Sequence, residues 1–239
     1  ADLHKGHLNK TETEKLNMNK RLHRTAGTPI DARGCKWPKT GNYVNVPYYI
    51  SPYYSEEERN IIIRGLESFH QSTCIRFIPW KSSHRNFIHF FSQPGYGCRS
   101  SLGRQNGGQY IYLEKNQCLY HSTVQHEILH ALGFHHEQIL SDRDQYVNIL
   151  FQNIKPEQAY NFRKKQTNNL GTPYDFNSVM HYHKYAFSIN GKPTIVDKNN
   201  YYYEWGYAHQ MSANDIARVN RLYRCSNFCL QMSQLDVLY

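Results

Sequence analysis

The chain has no run of about 18 apolar residues, the length that a helix needs to cross a bilayer, so no membrane span is expected. Its cysteines form no paired C-x-x-C knuckles, which disfavours a cysteine-zinc module. Internal repeats and low-complexity tracts are absent as well. No basic run interleaves with aromatics, so the formal net charge of +9 reads as a solvated positive surface and not as a nucleic-acid footprint. The charged opening ADLHKGHLNK is not a signal peptide; any export signal has been removed or was never there.

What is present describes a globular chain. With 239 residues and 39% hydrophobic content it can bury a substantial core, as one domain or as two lobes sharing a cleft. Its six cysteines, Cys35, Cys74, Cys98, Cys118, Cys225 and Cys229, are an even and widely spaced set. They read as disulfides, which persist in oxidising compartments. The sequon Asn9-Lys10-Thr11 agrees with export, and the protein is expected to be secreted. Charge is uneven: residues 1 to 25 carry six lysines and arginines against three acidic residues, so the remainder carries only +6.

Residues 1 to about 34 are polar and poor in large apolar groups, so they read as a leader or arm that drives no core. From Cys35 the pattern changes. YVNVPYYI, CIRFIPW, NFIHFF and GGQYIYLE read as strands, and EEERNIIIRGLESFHQST has the apolar spacing of an amphipathic helix. After Ser141 the signals are weak and loop-rich until SANDIARVNRLYR, a helix with Ser212 or Asn214 at its N-cap. The aromatic cluster Tyr201, Tyr202, Tyr203 and Trp205 is unusual.

The stretch QHEILHALGFHHEQ, residues 125 to 138, holds four histidines and two glutamates in fourteen positions and reads as a helix with a turn after it. His126 and His130 are four apart, so they share one helical face about one turn apart and two imidazoles can approach one cation. Gly133 can take the positive φ that ends a helix and turns the chain back. His136 then supplies a third nitrogen from outside the helix. Three neutral imidazoles leave a coordination position for water, as a catalytic zinc requires. Glu127, next to the first ligand, projects towards that water as a general base and can pass the proton to a leaving amine. Surface or core histidines are the competing reading for a lone pair, but H-E-x-x-H-x-x-G-x-x-H fixes too many positions for it. The spacing selects His136 and leaves His135 as a packing or rim residue. One Zn2+ per chain is the expected cofactor.

Downstream, SVMHY at residues 178 to 182 puts Met180 and Tyr182 in a short loop. Beside the extended histidine motif it resembles the Met-turn of metzincins, a methionine-bearing bend beneath the zinc histidines. GFHHE, SDRD at 141 to 144, GTPYD at 171 to 175 and SVMHY together resemble the astacin family. CIRF, LGR, GGQ, HEILHALGF and RVNRLY also stand where astacins have similar strings, and the resemblance covers roughly residues 35 to 225. Within the family, AYNF, TNNLGTPYDF and SVMHY look most like the hatching enzymes of vertebrate embryos, which digest the egg envelope.

The resemblance implies an α+β, two-lobed fold with a twisted, mostly antiparallel-edged sheet above a horizontal cleft, an active-site helix, a Met-turn and zinc at the cleft floor. The catalytic domain would span residues 35–229, divided into lobes at about residue 136, with a tail at 230–239. Endopeptidase activity on extracellular proteins or peptides is implied, by a monomer with no nucleic-acid partner. Tyr182 would be an additional zinc ligand able to swing away and stabilise an oxyanion; its competing role is a core tyrosine. Glu137 would contact the mature N-terminus, directly or through water; its competing role is a surface carboxylate. Cys74 would pair with Cys225, tying the lobes together, and Cys98 with Cys118. Cys35 and Cys229 lie outside the minimal astacin set, and pairing them would fasten the start of the domain to its end.

The sequence also departs from the family. Residues 1–34 lack the F-x-G-D string in which astacin pro-segments block zinc with an aspartate, so they read as a truncated pro-region remnant or an unusual arm. Activation is expected to cut about 8 to 13 residues before Cys35, in the TAGTPID region, with the new terminus tucking inward, a range set by a reach of about 3.3 Å per extended residue. His135 stands where the family commonly has tyrosine, and WGYAHQ at 205 to 210 lacks the G-Q-R arginine that in some relatives favours acidic residues after the cut. Cleft specificity therefore stays open. Two other functions compete. One is a catalytically silent coat-binding protein, against which the retained Glu127 argues; the other is a carbohydrate- or acidic-polymer-binding module using the tyrosine-rich loop.

Overall fold

The structure, a computed structural model, describes residues 35–226. Alternating burial builds its main sheet. Strand β2 (Tyr43–Ile50) buries Val44, Val46 and Ile50 and exposes Tyr43, Asn45 and Tyr49. In the same way β4 (Phe87–Phe91) buries Ile88 and Phe90, and β6 (Gly108–Leu113) buries Ile111 and Leu113. Strands β2, β4 and β6 run parallel, and β3 (Ile75–Pro79) pairs parallel with β2. The antiparallel members are β1 (Lys39–Thr40) on β2 and β5 (Cys98–Ser100) on β6, so the six-stranded sheet is mixed, with antiparallel strands at two of its edges and parallel β3 at another.

The crossover from β2 to β3 is the helix α1 (Glu56–Ser72). Ser55 caps it by accepting from the Glu58 N–H, and the Glu58 carboxylate accepts in turn from the Ser55 N–H. Its apolar stripe, Ile62, Leu66 and Phe69, joins the inner face of the sheet and the buried side chains of α2 (His121–Leu132) in one core. Gly65 lets the two helices meet: a Cβ there would lie 2.4 Å from Cγ1 of Val124. Helix α2 is thereby fixed between α1 and the sheet.

Beyond α2 the chain folds into short 3-10 turns, at Glu137–Ile139, Arg143–Gln145, Phe151–Asn153 and Pro156–Phe162. A second small sheet pairs β7 (Val147–Ile149) with β8 (Ile195–Asp197). Strands of three residues leave too little alternation to read, which is why the sequence shows only loops here. A second core of Val147, Ile154, Phe162, Tyr174, Ile195 and Trp205 underlies this lobe. Buried Arg143 cross-links its turns by donating to the carbonyls of Gln138 at 2.7 Å and Phe162 at 3.0 Å. The last helix, α3 (Ala213–Leu222), is capped by Ser212 and not by Asn214, with Asp215 completing a capping box.

Two disulfides form as expected. Cys74–Cys225 joins the start of β3 to the chain beyond α3, and Cys98–Cys118 ties edge strand β5 to the approach to α2. Cys35 has no disulfide partner among the described residues, and the Cys229 expected to pair with it lies outside them, as do the arm, Asn9 and the tail. No described helix is long and apolar enough to cross a membrane.

Candidate active site

Helix α2 carries His126 and His130 on one face, with ring centroids 4.7 Å apart and planes nearly perpendicular. Gly133 ends the helix at φ 112°, donating its N–H to Leu129 and His130 carbonyls, and the Phe134 N–H also reaches the Leu129 carbonyl. The chain reverses there and brings His136 back. Its Nε2 stands 3.1 Å from Nε2 of His126 and 3.1 Å from Nε2 of His130.

The outer ring nitrogens determine what the inner ones are. Nδ1 of His126 lies 2.7 Å from the Val179 carbonyl oxygen, and Nδ1 of His130 lies 2.8 Å from that of Phe134. A carbonyl only accepts, so both Nδ1 atoms carry protons and both Nε2 atoms present bare lone pairs. Burial pushes all three histidines down, His130 to about 3, so they are neutral near pH 7. Lone pairs converging at this distance repel unless a proton or a cation lies among them. The ligand atoms of the three histidines all fall within 4.8 Å of one another, and neutral imidazoles suit zinc, so the residues fit that metal.

Glu127 is 4% exposed, and its Oε2 is buried without a hydrogen-bond partner among the described residues. Burial pushes its carboxyl up to about 8. With His126 it faces a cavity of about 280 Å³ that Ser122, Thr123, Val179, Gly206 and Ala208 also line. The ring of Tyr182 lies 4.5 Å from that of His136, and burial pushes its phenol up to about 12. Met180 is 1% exposed within a turn closed by the His181 N–H on the Ser178 carbonyl at 3.1 Å. His126, Glu127, His130, His136 and Tyr182 are therefore linked in space, although 56 positions separate the first from the last.

The family model of the astacin peptidases matches residues 32–224. The chain belongs to the astacin family. It is a metalloendopeptidase of that zinc-dependent family. This astacin is 42% identical to the low choriolytic enzyme of Oryzias latipes over 192 residues, covering 80% of this chain and 70% of the other. It is 46% identical over 193 residues to high choriolytic enzyme 2 of the same fish, covering 80% and 68%. A solved structure, high choriolytic enzyme 1 of Oryzias latipes, described as a hatching enzyme zinc-protease, matches with a TM-score of 0.79 at 43% identity, covering 84% of this chain and all of that one. The α+β fold, the activity class and the likeness to hatching enzymes are borne out.

Sequence reasoning missed the groups that support the histidines of this astacin from behind. Asp215, 2% exposed, accepts from Ser178 Oγ at 2.6 Å and from the Val179 N–H at 3.1 Å. Arg218, one turn further along α3, pairs through both terminal nitrogens with the carboxylate of Glu137 and also donates to Thr172 and Pro173. Gln125 links α2 to Ser68 of α1 and accepts from the Met211 N–H at 2.7 Å. The Ser212 cap of α3 was legible; the grip of Asp215 on residues 178 and 179 was not, because it spans 37 and 36 positions.

Glu137 is 0% exposed, which corrects the competing reading of a surface carboxylate. Its N–H donates to the Met180 carbonyl at 3.0 Å, and Oε1 accepts from the Asp175 N–H at 2.8 Å. Burial pushes its carboxyl up against the opposing pull of the Arg218 guanidinium. The mature N-terminus expected to meet it lies outside the described residues. His135 is half-buried and borders a separate cavity of about 80 Å³ with Phe134, Met180, Asp215 and Arg218.

Proposed function

We propose that this astacin is a secreted endopeptidase that holds one zinc ion per chain through Nε2 of His126, His130 and His136. The observation that carries the proposal is the convergence of three Nε2 atoms, those of His126 and His130 proton-free, beside a buried, unpartnered carboxylate oxygen. When bound, zinc supplies Lewis-acid polarisation of the scissile carbonyl and acidifies the attacking water. Glu127 takes the proton from that water at its free oxygen and delivers it to the leaving amine. Burial raises the proton affinity of Glu127 above that of a solvated glutamate, which favours uptake of the water's proton. Tyr182 keeps its phenolic proton at that pH and donates it as a hydrogen bond to the developing oxyanion. Val179 and Phe134 hold the ligand rings in orientation through their carbonyls. The Ser178–Tyr182 bend serves as a Met-turn, with Met180 as its apolar floor.

Two disulfides support an oxidising, extracellular location. The choriolytic and hatching names of the relatives support egg-envelope proteins as the substrate class. The retained Glu127 disfavours a catalytically silent coat protein. The test is cleavage of an unfolded protein and of isolated egg envelopes, before and after chelation, with the zinc content of wild type and His130→Ala. Cleavage that chelation abolishes and zinc restores, with near-complete loss of metal in His130→Ala, is expected. Full metal retention in that variant, or cleavage without metal, contradicts the proposal; softening of egg envelopes no faster than of unrelated matrix contradicts the substrate assignment.

A further inference from the structure

We propose that the solvent face of the main sheet binds an acidic polysaccharide. The face turned away from the core carries Tyr49, His89, Phe91, Tyr110 and Tyr112, at the positions alternating with the buried Ile50, Ile88, Phe90, Ile111 and Leu113. Register sets these side chains in two rows, Tyr49 beside His89 beside Tyr110, and Phe91 beside Tyr112 beside Arg99. Their rings touch in series: Tyr49 to His89 at 4.9 Å, His89 to Tyr110 at 5.0 Å, Tyr110 to Tyr112 at 5.5 Å and Tyr112 to Tyr96 at 5.0 Å. Tyr49, Tyr110 and Tyr96 remain 41%, 47% and 39% exposed. A contiguous patch of this kind on a solvated sheet marks a contact surface more often than scattered apolar side chains do.

Charge identifies the class of partner. No acidic residue occurs between Glu67 and Glu114, and among the basic residues there Arg76 and Arg99 lie over aromatic rings of this sheet. These two guanidinium groups sit on rings at opposite ends of the strand order. Arg76 lies 4.5 Å over Tyr43, and Arg99 lies 4.2 Å over Tyr96 and 4.9 Å over Tyr112. The linear sequence hides this arrangement, because core residues separate the aromatics and the arginines come from other strands.

A polymer of pyranose rings presents apolar C–H faces that pack on aromatic side chains, and its carboxylates or sulfates meet arginine in paired hydrogen bonds. Single-stranded nucleic acid shares stacking and negative charge. It is disfavoured by the disulfides, which belong to an oxidising compartment. The apolar side chains of helix α2 pack on the opposite face, and edge strand β5 meets the cavity of His126 and Glu127 through Cys98. The face would then tether the peptidase to an acidic matrix that holds its protein substrates.

The test is titration of the full-length, zinc-loaded protein with a heparin-derived dodecasaccharide, a dextran oligosaccharide of equal length and a single-stranded oligonucleotide. The heparin fragment is expected to bind and dextran not to bind. Tyr110→Ser and the exposed Arg99→Gln should each weaken binding about 10-fold, the size of one lost stacking or cation–π contact. Lys192→Gln, the same loss of charge on the other lobe, should change it less than about 2-fold. Cleavage of a short peptide should stay unchanged in Tyr110→Ser and Lys192→Gln. If Tyr110→Ser does not fold, Arg99→Gln alone decides. The proposal is overturned if the heparin fragment does not bind, if the sheet variants bind it as Lys192→Gln does, or if the oligonucleotide binds more tightly through the same residues.

Discussion

Nδ1 of His126 donates to the Val179 carbonyl at 2.7 Å, and the peptide bearing that carbonyl is itself held through the Met180 N–H, which donates to Ser178 Oγ at 3.0 Å. Ser178 Oγ donates onward to Asp215 at 2.6 Å. A buried carboxylate on α3 thus orients a histidine on α2 through one hydroxyl and one peptide. In Asp215→Asn the amide nitrogen would face donors at Ser178, Val179 or Ser212. Zinc should leave this variant about 10- to 100-fold faster, the usual effect of losing an outer partner of a ligand. Transfer of zinc to a coloured chelator measures the rate, and an unchanged rate would remove Asp215 from that role.

Glu137 and Arg218 form the second link from α3, to the residue that follows His136. Removing one partner of a buried pair strands the other charge. Glu137→Ala should therefore lose about 3 to 5 kcal/mol of folding stability in urea titration. A loss below about 1 kcal/mol would mean that water or another group takes over the guanidinium.

Tyr182→Phe removes one hydroxyl and leaves the ring against His136, so zinc content should be retained. Peptide turnover, kcat, should fall about 10²- to 10³-fold with KM little changed, as for loss of one oxyanion donor. An equal rise in KM would instead give Tyr182 a part in binding the ground state.

Local rules made some features of this molecule legible and left others hidden. His126, His130 and His136 could be read because two lie at helical spacing and Gly133 supplies the positive φ that returns the third. Helix α1 could be read from its amphipathic spacing and α3 from a capping residue at Ser212, while their capping boxes emerged only in the structure. Strands β5, β7 and β8 could not, since three residues carry too short a pattern. Asp215 and Arg218 were hidden for a different reason. Charged residues on an amphipathic helix normally face water, and only the tertiary contacts at 178–179 and 137 turn them inward. The aromatic face of the sheet was hidden likewise, because cross-strand register assembles it.

The most direct measurement is cleavage of an unfolded protein by zinc-loaded Glu127→Gln, with its metal content determined on the same sample. The amide cannot take a proton from water, while the three histidines and their carbonyl partners are untouched. The variant should hold as much zinc as wild type and cleave about 10² to 10⁴ times more slowly, the range for loss of a general base. Cleavage at the wild-type rate with zinc in place would contradict the assignment of Glu127 as the base.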